Sequence, residues 1–190
     1  MRQALRPHPG SGRGGVSGLE AQASRQGDRG LALRYRVSGD VGRIALPPAA
    51  AAPAASLAAS TEGLWRATCF EAFIAARPEG PYYELNLAPS GAWAAYRFEA
   101  YRQGMAEVTG FPPPRIAVRS DERALELEAD LALDLLADLP ADAPWRLGLS
   151  AVIQDVEGAM AYWALAHPEG RPDFHHPISF AAELPPERRP

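Results

Sequence analysis

Apolar and polar residues alternate along several short segments of the chain, which is the pattern of half-buried β-strands. Residues 31–37 show it most clearly, because Arg34 and Arg36 separate apolar side chains. Turn sequences rich in Gly, Pro and Asp lie between these segments, as expected of hairpins. The predicted strands are residues 18–24, 31–37, 67–75, 82–87, 93–101, 115–119, 124–129, 145–154, 160–166 and 180–184, with 43–46 as a further candidate. They predict an all-β antiparallel β-sandwich or barrel.

Three segments depart from this pattern. Residues 131–139 (LALDLLADL) have helical spacing before Pro140, and they predict one short helix. The Ala/Pro-rich residues 47–60 predict a mobile loop. Residues 1–16 are rich in Gly, Pro and Arg and predict a flexible N-terminal segment, followed by a single domain over residues 17–190.

Composition narrows the classes of partner. The chain has 190 residues, 47% of them hydrophobic, and a net charge of −4, so it can bury a core but has no basic stripe for nucleic acid. Cys69 is the one cysteine, which excludes an internal disulfide. We expect neither a membrane partner nor a secretory signal, because the chain has no long apolar run, and we expect a cytoplasmic location. The sequence leaves the oligomeric state open.

The three central strands each present two faces, because side chains alternate along a strand. One set of positions is apolar or aromatic: Phe70, Ala72, Ile74, Tyr83, Leu85, Leu87, Tyr96, Phe98 and Ala100. If that set forms the core, the opposite face mixes hydrogen-bonding and aromatic groups: Glu71, Tyr82, Glu84, Asn86, Trp93, Arg97, Glu99 and Tyr101.

This mixed face suits a sugar or a similar polyol. Aromatic rings stack on the C–H side of a pyranose, and carboxylate, amide and guanidinium groups form directional hydrogen bonds with hydroxyls. Trp65 and Trp93 begin strands beside turns, where binding loops gather, whereas Trp145 is expected to pack in the core. The alternative is a solvated face whose cross-strand Glu–Arg pairs stabilise the sheet weakly.

Three runs together resemble a known group of proteins. They are LWRATCFEAFIA (64–75), YYELNLAPSGAWAAYRFEAYRQGM (82–105) and YWALAHPEGRPDFHH (162–176). They look like the DOMON-like proteins of bacteria, which are similar to family 9 carbohydrate-binding modules, and the resemblance extends from about residue 31 to the C-terminus. It implies a jelly-roll β-sandwich that binds sugars in some relatives and haem in others.

The resemblance also implies roles for particular residues. The acidic-x-aromatic pattern of the sugar-binding modules matches Glu71-Ala72-Phe73 and would place Glu71 at the ligand. Those modules clamp a sugar between two tryptophans, for which Trp65 and, less closely, Trp163 are the counterparts. Haem binding would need axial ligands, and the candidates are Met105, Met160, His167, His175 and His176. No Cys-x-x-Cys-His attachment motif is present.

Three other groups of residues are weaker candidates for metal binding or catalysis. Asp173, His175 and His176 are weak candidates for metal ligands, without the regular spacing of a structural zinc site. Cys69 would need a neighbouring histidine base to act as a nucleophile. Glu71 and Glu84 could serve glycoside hydrolysis only at a suitable separation.

We therefore expect a non-catalytic ligand-binding β-sandwich with no required cofactor and a small-molecule ligand, for which a sugar or a similar polyol is the candidate. The expected ligand residues are Trp65, Glu71, Tyr82, Glu84, Asn86, Trp93, Arg97, Glu99, Tyr101 and His175. The alternatives are a carrier of haem or another redox cofactor and a protein-interaction module.

Overall fold

A computed structural model describes residues 1–46 and 62–187. In these two ranges the chain forms 12 antiparallel strands. They are β1 (Arg2–Pro7), β2 (Val16–Gln26), β3 (Gly30–Gly39), β4 (Cys69–Ala75), β5 (Tyr82–Leu87), β6 (Trp93–Phe98), β7 (Ala106–Glu107), β8 (Arg115–Ser120), β9 (Ala124–Ala132), β10 (Trp145–Gln154), β11 (Met160–Ala164) and β12 (Ala182–Leu184). The same ranges contain no helix that is long and apolar enough to cross a membrane. The predicted loop at residues 47–60 lies outside the described residues.

The strands form one curled sheet in the order β7-β6-β5-β4-β10-β11-β1-β2-β3-β9-β8, with β12 added beside β10. Strand β1 joins its two halves, because residues 2–5 pair with β2 and residues 6–7 pair with β11. The halves pack face to face: the rings of Tyr35 on β3 and Phe70 on β4 have centroids 5.1 Å apart. Tyr35 also donates a hydrogen bond to the backbone oxygen of Glu71 across the layers, at 2.7 Å. The predicted all-β sandwich is confirmed.

The principal core fills the space between the two halves. Alternate positions of each strand enter it, as the pleat requires. From one half come Leu33, Tyr35, Val37, Leu125 and Leu127, and from the other Phe70, Ile74, Leu85, Leu147, Leu149 and Trp163. Burying this many large apolar side chains is the main favourable term in folding.

The predicted helix at residues 131–139 is wrong. Strand β9 runs to Ala132, and two successive tight turns follow, closed by hydrogen bonds from Leu136 N to Leu133 O and from Leu139 N to Leu136 O. Buried leucines three residues apart satisfy a helix and a pair of turns equally well. The backbone of Arg29 accepts from Leu133 N, and its side chain donates to Leu139 O, so the sheet holds this segment in the turn conformation.

The flexible segment predicted at residues 1–16 is also corrected, because residues 2–7 form β1 between β2 and β11. Its apolar signal is weak, since Leu5 is the one buried residue of the strand. The candidate strand at residues 43–46 is instead a 3₁₀ turn (Val41–Arg43) followed by an isolated bridge from Ile44 to Asp155.

Leu136 and Leu135 test the turn conformation directly. Leu136 is 0% exposed and Leu135 is 48% exposed. We expect Leu136→Ala to lower the free energy of unfolding by about 2–5 kcal/mol through the cavity it leaves, as measured by urea denaturation. The matched variant Leu135→Ala should change it by less than about 0.5 kcal/mol. Equal losses in the two variants would contradict the turn conformation.

Candidate functional site

Strands β4 and β5 are buried on both faces, although an outer sheet face is usually solvated. Every residue of Cys69–Ala75 and Tyr82–Leu87 is buried. One face belongs to the principal core. On the other, which we call the outer face, Glu71 lies opposite Asn86 and Phe73 lies opposite Glu84. Glu71 and Glu84 are therefore diagonal neighbours on the same side of the sheet, within reach of one another.

A cavity of about 370 Å³ lies over this outer face. Three pieces of chain outside the central strands complete its walls: the 3₁₀ turn Leu64–Arg66, residues 102–105 and residues 162–175. Val152 of β10 adds to the lining. The lining residues are Trp65, Glu71, Glu84, Phe98, Arg102, Met105, Val152, Tyr162, Pro172, Phe174 and His175. The volume is within the range of about 300–1,000 Å³ that small-molecule pockets occupy.

Glu71 and Glu84 are almost fully removed from solvent, at 2% and 5% exposure. Burial raises the pKa of Glu71 well above its usual range, and the neighbouring Glu84 carboxylate raises it further. Burial also raises the pKa of Glu84, opposed by a hydrogen bond from Asn86 and by the charge of Arg102. Of the two carboxyls, Glu71 is therefore the one that holds a proton more readily.

The two carboxyls differ in their partners. Asn86 Nδ2 donates a hydrogen bond to Glu84 Oε1 at 2.8 Å. Glu71 Oε1 is buried and has no hydrogen-bond partner among residues 1–46 and 62–187. A buried acceptor without a donor costs about 1–3 kcal/mol, so this oxygen is a group that a ligand could satisfy.

His175 connects Glu84 to Tyr82, the first residue of β5. Its Nδ1 atom lies 2.7 Å from the hydroxyl of Tyr82, and its Nε2 atom lies 3.7 Å from Glu84 Oε2. Burial lowers the pKa of His175 to about 4, with the charge of Arg102 adding to the effect. The imidazole is therefore neutral near neutral pH, and its contact with Glu84 is not an ion pair.

The hydrogen-bond chain indicates which nitrogen of His175 carries the proton. The backbone N–H of Arg102 donates to the Tyr82 hydroxyl at 3.2 Å, which leaves the hydroxyl proton for Nδ1 of His175. Burial raises the pKa of Tyr82 to about 12, so that proton is retained. The imidazole proton is then on Nε2, directed toward Glu84.

Arg102 is held in an unusual backbone conformation at the mouth of the cavity. Its φ is 55°, in the left-handed region that non-glycine residues rarely adopt. The hydrogen bond to Tyr82 and an ion pair with Asp173 at 2.8 Å compensate for this cost. Asp173 also accepts from the Tyr101 hydroxyl and from the backbone N–H of His175, and so it ties residues 173–175 to the loop after β6.

Aromatic rings surround the polar groups. Trp65 packs edge-on against Tyr96 with centroids 6.0 Å apart, and Tyr162 contacts Phe174 at 6.1 Å. Gly148 lies beside Phe73 on the same sheet face, where an added Cβ would come within 3.1 Å of the Ser179 backbone oxygen. This close approach lets residues 177–179 cover the sheet without a gap.

The prediction for β6 is wrong about which side chains face outward. Tyr96 pairs with Glu84 and Phe98 pairs with Tyr82, so Tyr96 and Phe98 share the outer face. Trp93 lies in the principal core against Phe111, with centroids 5.7 Å apart. Both sets of alternating positions in this strand contain an aromatic residue, so alternation alone does not show which set faces the core. The register of the hairpin with β5 decides it.

Arg97 shares the core side of β6 with Trp93, and it forms an ion pair with Asp138 at 2.7 Å, where Tyr83 also donates to Asp138. Glu99 is exposed, and Tyr101 is 47% exposed outside the cavity lining.

Among the residues predicted from sequence, Trp65, Glu71, Glu84 and His175 line the cavity. Asn86 and Tyr82 support it through hydrogen bonds to Glu84 and His175.

Sequence reasoning missed several lining residues, chiefly Phe98, Arg102, Tyr162 and Phe174. Tyr162 is adjacent to Trp163, which the resemblance favoured, but Trp163 faces the principal core. The alternation of β11 does not separate them, because Met160 and Ala164, in phase with Tyr162, are as apolar as Ala161, in phase with Trp163.

Most of the candidate metal and haem ligands have other partners, although two of them share the cavity. In the described residues, no group of three or more His, Cys, Asp or Glu side chains could hold a metal ion. His176 Nδ1 accepts from Ile178 N, and His167 Nε2 contacts Arg6 O. Met105 and His175 line the cavity together, but an axial role would cost His175 its contact with Tyr82 or with Glu84. Cys69 is buried, and burial raises the pKa of its thiol well above the usual range.

Comparisons with known proteins give the fold. No family model matches the chain, and no curated protein matches it. Its structure is similar to that of a Bacteroides uniformis protein provisionally described as carbohydrate-binding (TM-score 0.64, 14% identity, covering 98% of this chain and 86% of that one). It is also similar to a family 9 carbohydrate-binding module from Caldicellulosiruptor kristjanssonii, solved with cellotriose (TM-score 0.58, 12% identity, 100% and 84% covered) and with glucose (0.52, 13%, 91% and 78%).

At these identities the likeness shows the β-sandwich fold. The narrower resemblance to bacterial DOMON-like proteins stays a prediction.

The buried Glu71 carboxyl makes stability depend on pH. Because its pKa is raised in the folded protein, the native state keeps a proton that the unfolded chain releases above about pH 4.3, and stability falls as pH rises through that window. Glu71→Gln removes this effect. We expect its melting temperature relative to the wild type to be at least about 3 °C higher at about pH 8 than at about pH 5.

The control for this variant is Glu183→Gln, at an exposed position. Its difference from the wild type should be the same at both pH values. The opposing contribution of His175, whose low pKa stabilises the fold as pH rises from about 4 to 6.5, is present in all three proteins and cancels. A difference for Glu71→Gln that shrinks with rising pH would contradict the assignment.

Proposed function

We propose that this protein is a non-catalytic module that binds a carbohydrate or a similar polyol in the cavity over β4 and β5. One observation carries the proposal: buried carboxyls and aromatic rings line the same cavity. Hydroxyl groups of a sugar both donate and accept hydrogen bonds, and aromatic rings cover its C–H faces. A purely apolar ligand would leave Glu71 Oε1 unsatisfied.

The polar groups offer complementary hydrogen bonds to a polyol. A protonated Glu71 can donate to a hydroxyl oxygen, and Glu84 can accept from a hydroxyl proton. Trp65 and Tyr162 line the cavity from two different elements, a 3₁₀ turn and β11. Their rings would contact the ligand from the walls while the carboxyls contact it from the sheet.

The comparisons support this proposal through the fold. A similar sandwich in Caldicellulosiruptor kristjanssonii has been solved with glucose and with cellotriose. Fold alone does not assign a ligand, so the proposal depends on the lining of the cavity in this chain.

The hydrogen bond that holds Glu84 favours binding over cleavage. Glycoside hydrolysis needs an acid and a second carboxylate that flank the scissile bond. Glu71 and Glu84 project from adjacent strands of one sheet face and reach the ligand from the same side. Asn86 holds Glu84 by a hydrogen bond. A carboxylate held in this way is placed to accept a hydrogen bond from a ligand hydroxyl, which is the role of a binding group.

The tryptophans provide the test. We expect Trp65→Ala to weaken binding of a recognised sugar by at least about tenfold, because it removes an aromatic wall worth about 1.5–3 kcal/mol of buried apolar surface. Titration calorimetry against a panel of mono- and oligosaccharides measures this.

Trp93→Phe is the matched control, since Trp93 lies on the core side of the sheet, and it should leave affinity unchanged. Loss of binding in Trp93→Phe with Trp65→Ala unaffected would contradict the proposal, as would the absence of binding across the panel by folded protein.

Haem is the second candidate, because Met105 and His175 line the same cavity. The buried carboxyls beside His175 fit a polyol better than a macrocycle. We expect the purified protein, mixed with haem, to show no Soret band of a ligated complex. A ligated spectrum that Met105→Leu or His175→Gln abolishes would overturn the carbohydrate proposal in favour of haem.

A further inference from the structure

The charges that line the cavity do not balance. Glu71 and Glu84 are the acidic groups. Among the lining residues in the described ranges, Arg102 is the one cationic side chain, and it is already paired with Asp173 at 2.8 Å. His175 is neutral near neutral pH, because burial lowers its pKa to about 4. The lining therefore has an excess of negative charge whenever both glutamates are ionised.

The lack of compensating positive charge is greatest at Glu71. Glu84 receives a hydrogen bond from Asn86 and is close enough to Arg102 for that charge to lower its pKa. Neither group acts on Glu71, whose pKa is raised by burial and by Glu84. The other ionisable groups around it, Tyr35 and Cys69, are buried and neutral. Within residues 1–46 and 62–187, nothing donates to Glu71 Oε1.

We propose that the ligand carries a protonated primary amine, placed between Glu71 and Glu84, so that the site selects amino sugars over neutral sugars. This inference rests on the carbohydrate-binding function proposed above and names its ligand class. An ammonium group has three N–H donors, enough to satisfy Glu71 Oε1 and to reach Glu84. Such charge-assisted hydrogen bonds are stronger than those to a hydroxyl.

A metal ion is a less suitable source of the missing positive charge. The described residues contain no cluster of three or more His, Cys, Asp or Glu side chains that could hold one. Asn86 directs its Nδ2 amide donor, not its oxygen, at Glu84. Aromatic walls around the carboxyls favour an organic ligand that has C–H surface as well as charge.

Binding of an ammonium should release a proton. In the free protein Glu71 holds a proton more readily than an exposed glutamate does, and a cation beside it favours the ionised form. Affinity for the amine should therefore increase with pH until the amine itself loses its proton. The number of protons released is on the order of one per ligand bound.

Pairs of sugars that differ by one group test the proposal on the full chain. The pairs are glucosamine with glucose, galactosamine with galactose, and mannosamine with mannose, in which an ammonium replaces a hydroxyl. At about pH 6 we expect the amino member of at least one pair to bind about tenfold more tightly than its parent. Calorimetry in two buffers of different ionisation enthalpy measures the released proton.

Glu71→Gln keeps the shape of the side chain and removes its charge. We expect this variant to lose the preference for the amino sugar and the proton release, so that the two members of each pair bind it with similar affinity. Glu183→Gln, at an exposed position, should behave as the wild type. If Glu71→Gln does not fold, the proton release and the pH dependence of affinity in the wild type decide the question.

The outcomes separate the two proposals. Equal or tighter binding of the parent hexoses would overturn the proposal that the ligand carries an amine, and it would leave the proposal of carbohydrate binding intact. A preference for amino sugars that persists in Glu71→Gln would overturn the assignment to Glu71. Failure of folded wild-type protein to bind either member of any pair would overturn both proposals.

Discussion

Two glutamates buried side by side on one sheet face are the constraint on which the site depends. A carboxylate loses hydration when it is buried, and two neighbouring carboxylates also repel each other. Glu71 and Glu84 bear both costs at 2% and 5% exposure. Asn86 and the neutral His175 offset part of the cost at Glu84, but Glu71 Oε1 has no such partner in the part of the chain that the structure describes. The fold must be stable enough elsewhere to hold this arrangement.

That stability comes from the other face of the same strands. Phe70, Leu85 and Leu149 enter the core between the two halves of the sheet, and Tyr35 joins the halves by donating to the backbone of Glu71. This hydrogen bond therefore holds the main chain of Glu71, the residue with the costlier of the two buried carboxyls. A rigid sheet position suits a binding group, because little further ordering is needed when a ligand arrives.

The cover of the site is built from loops and held by polar contacts. Asp173 ties residues 173–175 to Arg102 and Tyr101, and Tyr82 links His175 to the backbone of Arg102. These contacts position the imidazole over the sheet, where burial keeps it neutral. The cavity therefore combines a rigid sheet floor, formed by β4 and β5, with walls that depend on a small number of hydrogen bonds. Such a division is common where loops supply specificity to a β-sandwich.

The alternation of apolar and polar residues in β3, β4 and β5 determined the sheet, the core face and the outward position of Glu71, Glu84 and Asn86. Side chains alternate with a period of two, so when one set is apolar and the other polar, only one orientation of the strand buries the apolar set. The sequence could not settle β6, where each face carries an aromatic residue, or residues 131–139, where leucines three apart fit a helix and a pair of turns alike. Tertiary structure decided these: pairing with β5 turned Tyr96 and Phe98 outward, and Arg29 fixed the turns. It also brought Arg102, Tyr162 and Phe174 to the cavity, since contacts between residues distant in the chain depend on how the elements pack and not on local pattern.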